Sequence, residues 1–100
     1  MEYLAGLFIG LALWSAQIEE IEIIPKVSTI ELGQEVELQA KGIYGNTKLD
    51  ISNIQWQSDK RGEWFYLSDN HIIFIPYEKG IYQIKSRYKK INGYAIVKVK

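Results

Sequence analysis

From Ile18 onward, apolar and polar side chains alternate in short runs separated by Gly, Pro and Asn. A period of two sends successive side chains to opposite faces of a strand, so this segment is committed to half-buried β-structure. The pattern is plainest over 35–41, where Val36, Leu38 and Ala40 share one face and Glu35, Glu37 and Gln39 the other. It recurs over 51–58, with Ile54 and Trp56 on the inward face and Gln55 and Gln57 outward. Sixteen isoleucines, together with many Val, Tyr and Phe, add strong β preference. No helical period follows residue 17.

The punctuation divides this segment into seven or eight strands, the spacing of a sandwich or barrel. A first strand over 18–24 stops at Pro25, which cannot donate to a ladder, and continues over 27–32. Gly33-Gln34 turns into the strand over 35–41, and a loop over 42–48 holds Gly45-Asn46. After the strand over 51–58, Asp59-Lys60-Arg61-Gly62 is expected to close a hairpin, with Gly62 at positive φ. Short strands follow over 64–67 and 71–75, the latter closed by Pro76. The last strands, 80–88 and 94–100, are expected to meet at Asn92-Gly93, the strongest hairpin dipeptide in the chain.

Residues 1–17 are a different kind of sequence. Tyr3 to Trp14 is a run of twelve residues without charge, about 18 Å long as a helix. That is short of the roughly 20 apolar residues that span a bilayer, and within the range of a secretory signal's apolar core. Glu2 has the wrong sign for a signal's basic start, and no small-residue cleavage site stands near Ala16. Gly6 and Gly10 form a G-x-x-x-G whose open face admits a second helix, flanked by Leu7, Phe8, Leu11 and Trp14. Two expectations stand side by side: a cleaved signal, or a retained anchor or packing helix with membrane contact through 1–17.

Composition removes several function classes. The chain has no cysteine and one histidine, so disulfides, thiolate zinc sites, thiol nucleophiles and multi-histidine metal sites are excluded. Twelve basic residues balance twelve acidic ones, which argues against nucleic acid as a partner. Ser68, Asp69 and His71 are too close in sequence to be read as a triad, and no turn resembles a nucleophile elbow. His71 reads instead as a solvated residue beside a turn. Asp50, Asp59 and Asp69 lack calcium-loop spacing, and no cofactor is expected.

Four residues define a frame. Leu38 sits mid-strand after a Gly turn, Trp56 faces inward on the next long strand, and Tyr82 starts a strand two residues before Ile84. The runs "PKVSTIELGQEVELQAKG", "ISNIQWQSD" and "YEKGIYQIKSRYKKINGYAIVKVK" resemble the bacterial immunoglobulin-like domains of cell-surface proteins. The resemblance covers 18–100 and implies a mainly β, immunoglobulin-like seven- or eight-stranded β-sandwich, here with a short N-terminal hydrophobic helix. It further implies a tyrosine corner at Tyr82 and aliphatic contact between Leu38 and Ile84 where antibody domains keep a disulfide. It implies no catalytic residues. A fibronectin type III-like sandwich is the alternative.

Two groups of residues are candidate interfaces. In the strand Trp64-Phe65-Tyr66-Leu67, Trp64 and Tyr66 share one face and Phe65 and Leu67 the other, so one pair is core and the other meets solvent. An exposed aromatic pair would anchor a protein or a sugar. Charge is also segregated: between Glu19 and Glu37 stand six acids and one base, and after Glu78 seven bases and no acid. Glu19, Glu20 and Glu22 are expected to face Lys98 and Lys100, within one molecule or between identical subunits. Gln83, Lys85 and Arg87 would form an exposed sheet face, basic through Lys85 and Arg87, open to an anionic glycan. The expected function is a non-enzymatic structural subunit of an extracellular, membrane-surface, filament or virion assembly. The alternative is a secreted or cell-surface adhesion module that recognises a protein or glycan.

Overall fold

The computed structural model describes residues 18–100, which form nine strands in two packed sheets. They are β1 (Glu20–Ile24), β2 (Val27–Ile30), β3 (Val36–Tyr44), β4 (Thr47–Asp50), β5 (Gln55–Ser58), β6 (Gly62–Ser68), β7 (His71–Pro76), β8 (Gly80–Tyr88) and β9 (Ile91–Val99). One sheet runs β1-β3-β7-β6, with β4 also paired to β3; the other runs β2-β9-β8-β5. All pairings are antiparallel except β2 with β9. The expected N-terminal helix lies outside the described residues.

The period-two pattern places the core between the sheets. Leu38, Ile72, Phe74, Tyr82, Ile84 and Val97 are fully buried, with Ile23, Val36, Ala40 and Trp56 around them. Each buried side chain of the size of Val, Leu, Ile or Phe contributes about 1.5–3 kcal/mol when removed from water. Phe74 sits at the centre, 4.5 Å from the Trp64 ring and 5.6 Å from the Tyr82 ring between centroids.

Four expectations about strand layout are corrected. The expected loop over 42–48 is a hairpin: β3 runs on to Tyr44, Gly45 takes φ 57°, and β4 returns along Lys41 to Tyr44. This hairpin brings the count to nine strands. Asp59 to Gly62 is not a hairpin but a crossing between sheets, because β5 pairs with β8 and β6 with β7. Gly62 is required there for space rather than for positive φ: a Cβ would lie 2.4 Å from Phe74 Cζ.

The third correction concerns the last hairpin. β8 and β9 pair from Gly80↔Val99 to Tyr88↔Ile91, so the turn is Lys89-Lys90, with Lys89 at φ 54°. Asn92 and Gly93 are strand residues opposite Arg87 and Ser86. Gly93 is buried where β1 crosses over β9, and a Cβ would meet Ile21 O at 2.8 Å. Its missing side chain serves a close approach of backbone, not a turn.

The fourth correction is in charge. Within one molecule, the first strand does not lie with its glutamates against Lys98 and Lys100. Pro25 separates β1, in one sheet, from β2, in the other, and β2 is the neighbour of Lys98 through Thr29. Glu22 pairs instead with Lys48 across β3, at 3.0 Å. Glu19 and Glu20 lie exposed near the start of β1.

Candidate interaction surfaces

The frame residues all face the interior. Leu38 on β3 and Ile84 on β8 come from opposite sheets and are both fully buried. Trp56 on β5 donates its indole Nε1–H to the Asp69 carbonyl at 2.8 Å, which ties this sheet to the β6–β7 turn of the other. The buried Tyr82 hydroxyl accepts the Glu78 N–H at 3.1 Å and can donate to Glu78 O at 3.1 Å or Arg61 O at 3.3 Å. One side chain thus holds both the β7–β8 turn and the crossing from β5 to β6.

The aromatic strand does not split into one core pair and one solvent pair. Trp64 is half-buried against Phe74, while Tyr66 on the same face is 56% exposed. Phe65 and Leu67 on the other face are 50% and 57% exposed. β6 is an edge strand, so the core reaches its first half through Trp64 and does not extend to Tyr66. A register shift between Tyr66 and Ser68 further turns that end away. The result is three consecutive exposed apolar residues on an edge. Tyr77, also exposed, adjoins them through a 3.5 Å hydrogen bond from its hydroxyl to Glu63 Oε1.

The outer face of β5, β8 and β9 is polar and aromatic. Cross-strand rows set Gln57 beside Lys85 and Lys85 beside Tyr94, and Gln55 beside Arg87 and Arg87 beside Asn92. Gln57, Lys85 and Tyr94, with Ser58, Asp59 and Gln83, line a shallow depression of about 350 Å³. Arg87 Nε donates to Lys89 O at 2.9 Å, so its guanidinium leans toward the β8–β9 turn. Asp59 accepts the Gln83 N–H at 2.8 Å, which places a carboxylate at the rim of this otherwise cationic face. Lys98 belongs to the same face, opposite Ile81, and Lys100 follows the end of β9.

His71 stands beside the 69–70 turn, as expected, and is paired as well as partly solvated. It opens β7, its side chain is 32% exposed, and Nε2 contacts Glu37 Oε1 on the neighbouring β3. Cross-strand position explains the pairing, since Gln39 stands opposite His71 and Glu37 one step along the same face. Asp50 pairs with Lys41, and the hydrogen bond and charge of that ammonium hold its carboxyl below the ordinary value. Ser86 is the one buried polar residue in the described core, and its hydroxyl finds no partner there. It is the small residue opposite Gly93 that lets β1 approach.

Among the described residues, no group of three His, Asp or Glu side chains is placed to hold a metal, and no helix is long and apolar enough to cross a membrane. Gly6, Leu7, Phe8, Gly10, Leu11 and Trp14 lie outside the described residues. Sequence reasoning turned Gln57 outward but missed Tyr77 and Tyr94 as surface residues, although alternation from Ala95 already turns Tyr94 outward. No family model matches the sequence, and no curated protein matches it.

Proposed function

We propose that this chain is a non-enzymatic structural subunit: an immunoglobulin-like module carried by its apolar N-terminal segment into an extracellular, membrane-surface or particle assembly. The strand order supports the immunoglobulin-like reading. β1-β3-β7-β6 against β2-β9-β8-β5 is the order of that sandwich, with its first strand divided between the sheets. The Tyr82 hydroxyl bonded four residues upstream adds to it. The observation that carries the assembly reading is the exposed apolar run Phe65-Tyr66-Leu67 on an edge strand, the kind of surface that other proteins cover.

Intact mass of the native protein, measured alongside its sedimentation, tests this. Retention of residues 1–17 with co-sedimentation on membranes or particles supports the anchored subunit. A processed, freely diffusing monomer overturns it. The second reading, a binding module, is favoured by the Gln57, Lys85 and Tyr94 depression. It predicts binding to a sulfated or carboxylated glycan array that is lost in Tyr94→Ala.

A further inference from the structure

The two sheets separate the charges of the molecule. On the outer face of β1, β3, β4, β7 and β6, Lys41 pairs with Asp50 and Lys48 with Glu22, so these four charges are balanced within one copy. Glu20, Glu37 and Glu63 stand on the same face, and among the described residues none of them pairs with a lysine or arginine. Glu37 contacts His71. The outer face of β2, β9, β8 and β5 carries Lys85, Arg87 and Lys98, none of them in an ion pair among the described residues. No residue of these four strands is acidic, and the Asp59 carboxylate at the rim already accepts the Gln83 N–H. Three unbalanced anions on one sheet thus answer three unbalanced cations on the other.

Each face also has an apolar centre. On the first sheet Phe65, Ile73 and Ile75 point outward, alternating with the buried Ile72 and Phe74. Glu63, opposite Ile75, and Glu37, opposite Ile73, flank them. Two strands over and two residues along, these carboxylates stand about 12 Å apart at Cα. On the second sheet Ile81, Tyr94 and Ile96 point outward, with Lys98 opposite Ile81 and Lys85 opposite Tyr94. One strand over and four residues along, these lysines stand about 14 Å apart at Cα. The difference is within the swing of a flexible lysine stem.

We infer that these two faces bind each other between copies: the outer face of β6, β7 and β3 stacks on the outer face of β8 and β9 of a second copy, with Glu37 and Glu63 meeting Lys85 and Lys98 around the two apolar centres. This rests on the assembly reading above and names its partner. Stacked sheets lie about 10 Å apart, a gap that side chains from both faces fill. Stacking like faces would instead set carboxylate against carboxylate or lysine against lysine. The complementary faces lie on opposite sides of one sandwich, so every added copy leaves an acidic face free at one end and a basic face at the other. The joint is heterologous, and the array grows as an open stack.

Charge reversal tests both faces at once. The full-length chain in mild detergent is compared with Glu37→Lys/Glu63→Lys, which makes the first face basic, and with Lys85→Glu/Lys98→Glu, which makes the second acidic. Wild type sediments as a ladder of sizes that shortens as salt is raised. Each double variant alone sediments as monomer with an unchanged far-UV spectrum. Mixed in equal amounts, the two sediment as a ladder again, because the reversed faces match each other and so do the unreversed ones. If a double variant does not fold, Glu63→Lys and Lys98→Glu, single changes at exposed positions, take their place.

A mixture that stays monomeric overturns the proposal. A ladder that persists in either variant alone also overturns it but leaves the assembly reading standing, since copies then meet elsewhere. A monomeric wild type overturns it as well, and binding of a sulfated glycan through Lys85 and Tyr94 would then give the basic face to the second reading. If that monomer also fails to associate with membranes or particles, the assembly reading falls too.

Discussion

Gly93→Ala asks whether β1 really leans on β9 where the amino-acid pattern would put a turn. An added Cβ would lie 2.8 Å from Ile21 O, 2.9 Å from Ile21 Cγ2 and 3.0 Å from Ser86 Oγ. The two side chains can rotate, but the carbonyl oxygen cannot. It belongs to β1, and Ile21 is held opposite Gly42 in the ladder with β3. Relief therefore requires β1 to retreat from the second sheet, an overpacking cost of about 1–3 kcal/mol. Alanine returns roughly 0.5–1 kcal/mol by restricting the unfolded chain more than glycine does. The steric effect wins, leaving a net loss of about 1–2 kcal/mol, or some 4–15 °C in melting temperature for a domain of this size. Urea unfolding followed by tryptophan fluorescence reads it. An alanine variant as stable as wild type refutes the close approach. Asn92→Thr separates this geometry from a turn at 92–93. A strand position opposite Arg87 accepts threonine with little change, whereas a turn residue at positive φ would lose about 1 kcal/mol or more.

Three further outcomes are expected. Tyr82→Phe loses about 1–2 kcal/mol in the same assay, because it strips the Glu78 N–H of its acceptor inside the fold; a neutral result would remove the corner from the account of stability. Trp64→Ala costs about 2 kcal/mol, reduced from a full core truncation by its half exposure, while Tyr66→Ala stays within about 0.5 kcal/mol; equal losses would place Tyr66 in the core. Asp50 has a folded value lowered by Lys41, so its contribution is present above the ordinary carboxylate value of 3.8 and disappears as pH falls through the lowered one. The pair is solvent-screened and its effect on stability is small. A carboxyl titration followed by NMR should show a midpoint below 3.8 that returns upward in Lys41→Ala, and a midpoint at or above 3.8 in the wild type would refute the pairing.

The strands were readable where burial alternates within one local run. Val36, Leu38 and Ala40 enter the core because every second residue of a strand must, whatever lies beyond. Tyr82 was readable for a related reason: its partner carbonyl is four residues upstream, so the motif is local. The candidate surface was half readable. That the Trp64 to Leu67 strand must show aromatic side chains follows from its lack of polar positions, but not which ones. Trp64 is covered and Tyr66 is not because the core ends partway along an edge strand, and edge status depends on partners far away in the chain.

The errors share that cause. Asn92-Gly93 has the local chemistry of a hairpin turn, yet Gly93 is buried beneath Ile21, a residue 72 positions earlier (93 − 21), and that contact outweighs a dipeptide preference. Asp59 to Gly62 has turn chemistry too, but no local feature tells a chain whether to return to the same sheet or to cross to the other. Glu22 meets Lys48 rather than Lys98 because Pro25 parts β1 from β2, a division visible only once both sheets exist. Composition and alternation decided that residues 18–100 would be paired strands around one apolar layer, since those are properties of neighbouring residues. Which strands became edges, and hence which apolar residues were left exposed, was decided only when distant segments packed together.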